Sequence, residues 1–147
     1  QAMKKSRRLL PVQNLAEQRK KQAELRLGQA QQQLQAEQQK LLQLQDYLQE
    51  YQKDLLQTGQ AGVTIEKLQR LQAFKQRLVD ALDQQKKQID FCEQTLAYTK
   101  QAWQMARGKE RAMGSLVQRI QQQERQQEDK RQQQQMDELA LLRPRQD

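Results

Sequence analysis

Residues 41–68 read LLQLQDYLQEYQKDLLQTGQAGVTIEKL, and this stretch decides the fold. In its first half Leu41, Leu48 and Leu55 stand seven residues apart, with Leu44 and Tyr51 interleaved. An apolar recurrence of about 3.5 residues keeps one stripe of an α-helix facing a partner helix. The pattern then stops. In Gln57–Thr64 (QTGQAGVT) the paired glycines Gly59 and Gly62 permit positive φ, and Thr64 can accept from the N–H groups that follow it. A turn between two such stripes predicts a helical hairpin, because helices joined by a short connection must run antiparallel.

Working outward, the first stripe continues through Leu34 and Leu27, with Ala30, Ala23 and Ala16 on the interleaved series. After the turn the stripe resumes with Leu68, Leu71, Leu78, Leu82, Ile89, Cys92, Leu96, Trp103, Ala106, Met113, Val117 and Ile120 on one alternating three-four series. The polar exceptions on that series, Lys75, Gln85, Thr99 and Glu110, read as layers that fix register. The expected fold is therefore all-α: a long two-helix antiparallel coiled-coil hairpin, the second helix longer than the first. One hairpin is expected over residues 1–147, with helix 1 at about 9–56, the turn at 57–64 and helix 2 at about 65–141.

Folding about the turn predicts pairs such as Leu48 with Leu71, Leu41 with Leu78, Leu27 with Cys92, Ala16 with Trp103 and Leu9 with Glu110. Beyond about Val117 the second helix then has no partner. Its Gln-rich segment 121–135 buries nothing alone and is expected to fray or to await another chain.

Composition agrees with an extended fold. Of the 147 residues 35% are hydrophobic, 30% charged and about a quarter Gln, too little apolar material for a compact core. Both prolines, Pro11 and Pro144, lie near the ends. A lone cysteine, Cys92, forbids an intramolecular disulfide, and the absence of histidine leaves a metal site almost no ligands, so no cofactor is expected. Cys92 and Trp103 both fall on the core series and read as packing. No run of about 18 apolar residues exists, and the expectation is a soluble, unexported chain without direct membrane insertion. Carboxylate pairs such as Glu128 with Asp129 and Asp137 with Glu138 lack a histidine, a glycine-rich loop or metal spacing, so no enzyme is expected.

The net charge of +8 is unevenly placed: residues 1–26 sum to +6, 100–147 to +3 and 27–99 to −1. In a hairpin both termini share one end, so the open end is basic and the turn end near neutral, which predicts different partners for the two. Nucleic acid is not expected, because the basic residues are interleaved with acids and no recognised DNA-binding pattern occurs. The flanks are informative as well. With the stripe labelled a and d, Tyr47, Phe74 and Ala81 occupy g, the position two antiparallel helices bring together, and Leu44, Tyr51 and Leu78 line the same side. A large aromatic at g either covers the seam or presents a partner site, and position alone leaves both open.

Several pieces outside the heptads carry a resemblance: LLPVQNLAEQRKKQAELRLG at 9–28, LLQLQDYLQEYQKDL at 41–55, the glycines of 59–63, KQAW at 100–103 and EDKRQQQQMDELA at 128–140. In content and order they make the chain resemble the FliJ family of flagellar type III export stalk proteins over nearly its whole length. A similar stalk of a virulence-type III secretion system is the nearest alternative. The resemblance implies a cytoplasmic coiled coil, peripheral to the inner-membrane export apparatus. It implies three partners: the hexameric flagellar export ATPase, the transmembrane export-gate protein and export chaperones. The gate-binding face it implies maps onto Leu44, Tyr47, Tyr51, Phe74, Leu78 and Ala81, while Lys40 and Gln85 depart from that face's pattern. For the ATPase ring the expected contacts are Arg7, Arg8, Arg19, Lys20, Lys21, Met136, Asp137, Glu138 and Leu139. The competing reading of these is solvated charge and a fraying tail.

Overall fold

A computed structural model describes residues 4–143. They form two α-helices, α1 (Lys5–Gln60) and α2 (Ile65–Leu141), arranged as an antiparallel hairpin with the second helix longer. Among the described residues there is no strand. The sequence is built from Gln, Leu, Lys, Arg, Glu and Ala, the strongest helix formers, and the interruptions fall where the helices end. Packing divides the chain into two units: Ala23–Ala102, which holds the turn, and residues 1–22 with 103–147.

The turn is tighter than the sequence suggests. Gly59 remains helical, and Gly62 is the residue with positive φ, at 84°. Thr64 caps α2 as expected: the Lys67 N–H donates to its Oγ1 at 3.3 Å and the Leu68 N–H to its carbonyl at 3.1 Å.

Within Ala23–Ala102 the core stripe is the predicted one. Ala30, Leu78, Leu82, Ile89 and Cys92 are buried, and Leu27, Leu34, Leu41, Leu44, Leu48, Tyr51 and Leu55 are half-buried. The pairing is not the predicted one. Tyr51 donates its phenolic O–H to the Leu71 carbonyl at 2.9 Å, and Glu37 meets Gln85. Leu71 therefore lies against Tyr51 rather than Leu48, a slip of one layer. The expected register would have set Glu37 against Leu82 and Gln85 against Leu34, stranding two polar groups in the seam. The observed slip joins them, and leucine layers slide past one another at little cost compared with an unsatisfied buried carboxylate.

Residues 1–22 and 103–147 also depart from expectation. Glu110 meets Lys20 at 4.0 Å rather than Leu9, and Glu124 accepts from the Ser6 N–H at 3.1 Å and from its hydroxyl at 2.7 Å. Side chains on both helices slant toward their own N-terminus, so in an antiparallel pair they lean toward each other and reach across more than one layer. α1 begins at Lys5, four residues before the expected start, because the carboxylate of Glu124 satisfies an N–H that the first turn leaves open. Pro11 consequently sits inside the helix. α2 stays partnered past Val117: Ile120 is 7% exposed and Glu124 half-buried. From Asp129 onward every described residue is exposed, and the helix continues to Leu141.

Two glycines separate the roles of the turn. Gly62→Ala is expected to destabilise by about 1 kcal/mol, since a Cβ is disfavoured at positive φ, whereas Gly59→Ala should stabilise by about 0.5–1 kcal/mol inside a helix. Urea unfolding distinguishes them, and equal shifts of the same sign would contradict the assigned backbone. Hydrogen exchange on the free protein should show slow amides up to about Glu124 and fast ones from Asp129, where the packing ends.

Candidate partner-binding surfaces

The aromatic flank is built by Tyr47 and Tyr51 on α1 and Phe74 on α2. Tyr51, a core-series residue, is half-buried and anchored by its bond to Leu71, and its ring packs against Phe74 at 5.0 Å between centroids. Burial raises the Tyr51 phenol above its usual pKa, with a further contribution from Tyr47, so it remains an O–H donor at neutral pH. Phe74 then meets Tyr47 edge to face, at 6.5 Å and 81°. The rings brace one another across the hairpin, and Tyr47 and Phe74 still stand 49% and 37% exposed. Of the other expected gate-face residues, Leu78 is buried, and Leu44 and Ala81 are half-buried. A partner would reach this flank mainly through Tyr47 and Phe74.

Lys40 and Gln85, the departures from the family pattern, are engaged with a residue the leucine spacing conceals. Glu37 is 5% exposed. Gln85 Nε2 donates to both its carboxylate and its backbone carbonyl, the latter at 2.9 Å; Gln33 Nε2 donates at 3.0 Å and Lys40 Nζ lies 3.5 Å away. The Gln85 hydrogen bond, aided by Lys40 and Gln33 and opposed by burial, holds the Glu37 carboxyl below the usual carboxylate range. Gln85 is thus a layer residue, as its place on the core series implied. Glu37 could have been found by extending the Ala30–Leu44 series, on which it falls.

The residues expected to meet the ATPase ring fall into four environments. Arg8, Arg19 and Lys21 are exposed. Lys20 is half-buried and faces Glu110, so it belongs to the helix interface as much as to the surface. Arg7 lines an open groove of about 460 Å³ with Lys4, Ser6, Gln121, Glu124, Arg125 and Glu128. Hydrogen bonds from the Ser6 N–H and hydroxyl lower the Glu124 carboxyl, keeping this cap ionised. Met136 and Leu139 are 65% and 64% exposed on the terminal turns of α2; Asp137, beside them, accepts from Gln133 Nε2 at 3.2 Å, and Glu138 is exposed.

Cys92 is a buried free thiol, and the Arg107 guanidinium lies 5.2 Å from the centre of the Trp103 ring. Among the described residues no group of His, Cys, Asp and Glu could hold a metal ion, and no helix is long and apolar enough to cross a membrane.

Two long antiparallel helices with a braced, half-exposed aromatic flank and bare terminal turns place the chain in the class of two-helix coiled coils. The family of flagellar FliJ proteins matches residues 4–147, and the chain belongs to it. Membership associates the chain with flagellar protein export, in a family of structural, chaperone-like components. No curated protein and no solved structure matches it.

The buried carboxylate gives a pH test. Because its folded pKa is depressed, the stability Glu37 contributes is fully present above the ordinary value of 4.5 and is lost as pH falls through the lower folded value. Glu37→Gln removes that titration. Between about pH 5 and 3 the thermal midpoint of the wild type is expected to fall more steeply than the variant's. Parallel slopes would assign the acid sensitivity to other carboxylates.

Proposed function

We propose that this chain is the stalk of the flagellar type III export apparatus, a non-enzymatic coiled coil that links the export ATPase to the membrane export gate and handles export chaperones. The observation that carries the reading is the aromatic flank. Tyr47 and Phe74 are held edge to face, and about half of Tyr47 and a third of Phe74 are left to solvent. Ring pairs fixed before binding lose little conformational entropy when a partner covers them. The gate docks there.

The ATPase takes the other unit. Exposed Arg7, Arg8, Arg19 and Lys21 supply positive charge, and the terminal turns of α2 supply Met136, Asp137, Glu138 and Leu139 on a helix with no packing of its own. Lys20 contributes less, being turned toward Glu110.

Pull-down of the purified chain against the cytoplasmic region of the gate protein and, separately, against the export ATPase tests this. Tyr47→Ala with Phe74→Ala is expected to lose gate binding and to keep ATPase binding. Unchanged binding to both would return the aromatics to a packing role, and binding to neither by the wild type would overturn the stalk reading.

A further inference from the structure

Beyond the aromatic flank, α2 carries large apolar residues that the hairpin does not cover. Phe91 is 63% and Tyr98 74% exposed. They stand seven residues apart at heptad position c, and Thr95 and Ala102 at g complete a three-four spacing with them. The Thr95 hydroxyl donates to the Phe91 carbonyl at 3.0 Å, so its methyl is the part free to pack. The g positions of α2 also hold Phe74 and Ala81, so this second stripe lies on the same side of the Ala23–Ala102 unit as the Tyr47–Phe74 pair.

Charge on that side is one-signed. At positions c and g, between Arg26 and Tyr47 on α1 and between Phe74 and Ala102 on α2, the basic residues are Arg26, Lys40 and Arg77, and there is no acid. The opposite side, at b and e over the same residues, mixes Asp83, Asp90 and Glu93 with Lys86 and Lys100. Between the aromatic pair and the second stripe opens a groove of about 440 Å³ lined by Lys40, Gln43, Leu44, Tyr47 and Gln85. The Gln85 amide is turned toward Glu37, and the Lys40 side chain is 62% exposed at 3.5 Å from that same carboxylate.

We propose that this whole side, from Tyr47 and Phe74 to Phe91 and Tyr98, is one docking face for an amphipathic α-helix that carries carboxylates beside its apolar stripe. The proposal rests on reading the aromatic flank as a partner site, extends it by several turns of α2 and names the chemistry of its occupant. Heptad-spaced knobs suit a helix rather than an extended strand, whose side chains recur every two residues. From Phe74 to Tyr98 the face runs about 36 Å, which a partner helix of about 24 residues would span. The occupant's apolar stripe covers Phe91, the Thr95 methyl and Tyr98, one of its side chains enters the groove, and its carboxylates meet Arg26, Lys40 and Arg77. A second copy that docks the same side does not fit, because it would set this acid-free basic side against itself.

The test uses the full chain and two fluorescent 24-residue helical peptides with the same leucine stripe, one flanked by Glu and its twin by Lys. In anisotropy titrations the Glu peptide is expected to bind at least tenfold tighter than its twin. Phe91→Ser with Tyr98→Ser should weaken it about tenfold, while Leu42→Ser, an exposed leucine on the opposite side, leaves it unchanged; circular dichroism checks that each variant folds. Equal binding of the twins overturns the acidic occupant. Full binding by the Phe91 and Tyr98 variant, with loss in Tyr47→Ala and Phe74→Ala, sinks the extension and spares the aromatic flank; no loss in either pair sinks both. Self-association in sedimentation that the Phe91 and Tyr98 changes abolish would make a second copy the occupant and overturn the proposal.

Discussion

A carboxylate buried between two helices must find its hydrogen bonds across the seam, and Glu37 finds them at Gln85. Most of the hairpin's other contacts are leucine against leucine or alanine, and such layers are nearly interchangeable when a helix slips by half a heptad. Slipping Glu37 away from Gln85 would leave a charge and an amide facing aliphatic side chains, a loss of several hydrogen bonds at once. One polar layer therefore selects the pairing that the apolar layers would leave degenerate within the Ala23–Ala102 unit. The bond from Tyr51 to Leu71 and the ring stack on Phe74 accompany that pairing in the same unit.

The same choice decides which side chains remain exposed. Gln85 and Leu78 lie on the face that the family resemblance marks for the gate, yet one is spent on Glu37 and the other is buried. Tyr47 and Phe74 stay partly exposed because g lies at the margin of the seam, close enough to brace and too far out to be covered. Under the proposed reading, this preorganised aromatic edge beside a one-signed basic side would select its partner by both shape and charge.

In the other unit the polar contacts act at a helix end. Glu124 reaches the first turn of α1 and accepts from the Ser6 N–H, placing a negative group where the helix dipole favours one. This contact carries α1 back to Lys5 and keeps α2 partnered beyond Val117. The terminal turns that follow have nothing to bury, and their exposed Met136 and Leu139 make that segment suited to binding rather than to stability.

By itself the sequence determined the two helices, the place of the turn, the start of α2 at Ile65 under its Thr64 cap and nearly every residue of the buried stripe, because a 3.5-residue apolar repeat and a glycine pair are local signals. It also marked Tyr47 and Phe74, since their g positions follow from the same count. Only the tertiary structure decided which layers meet, that Lys20 and Glu37 are interface residues, and that Ser6 is capped from the other helix. The physical reason is that an apolar stripe says which face of a helix is buried but carries almost no information about how far one helix slides along the other. That distance is set by a few polar groups whose partners lie 48, 90 or 118 residues away along the chain.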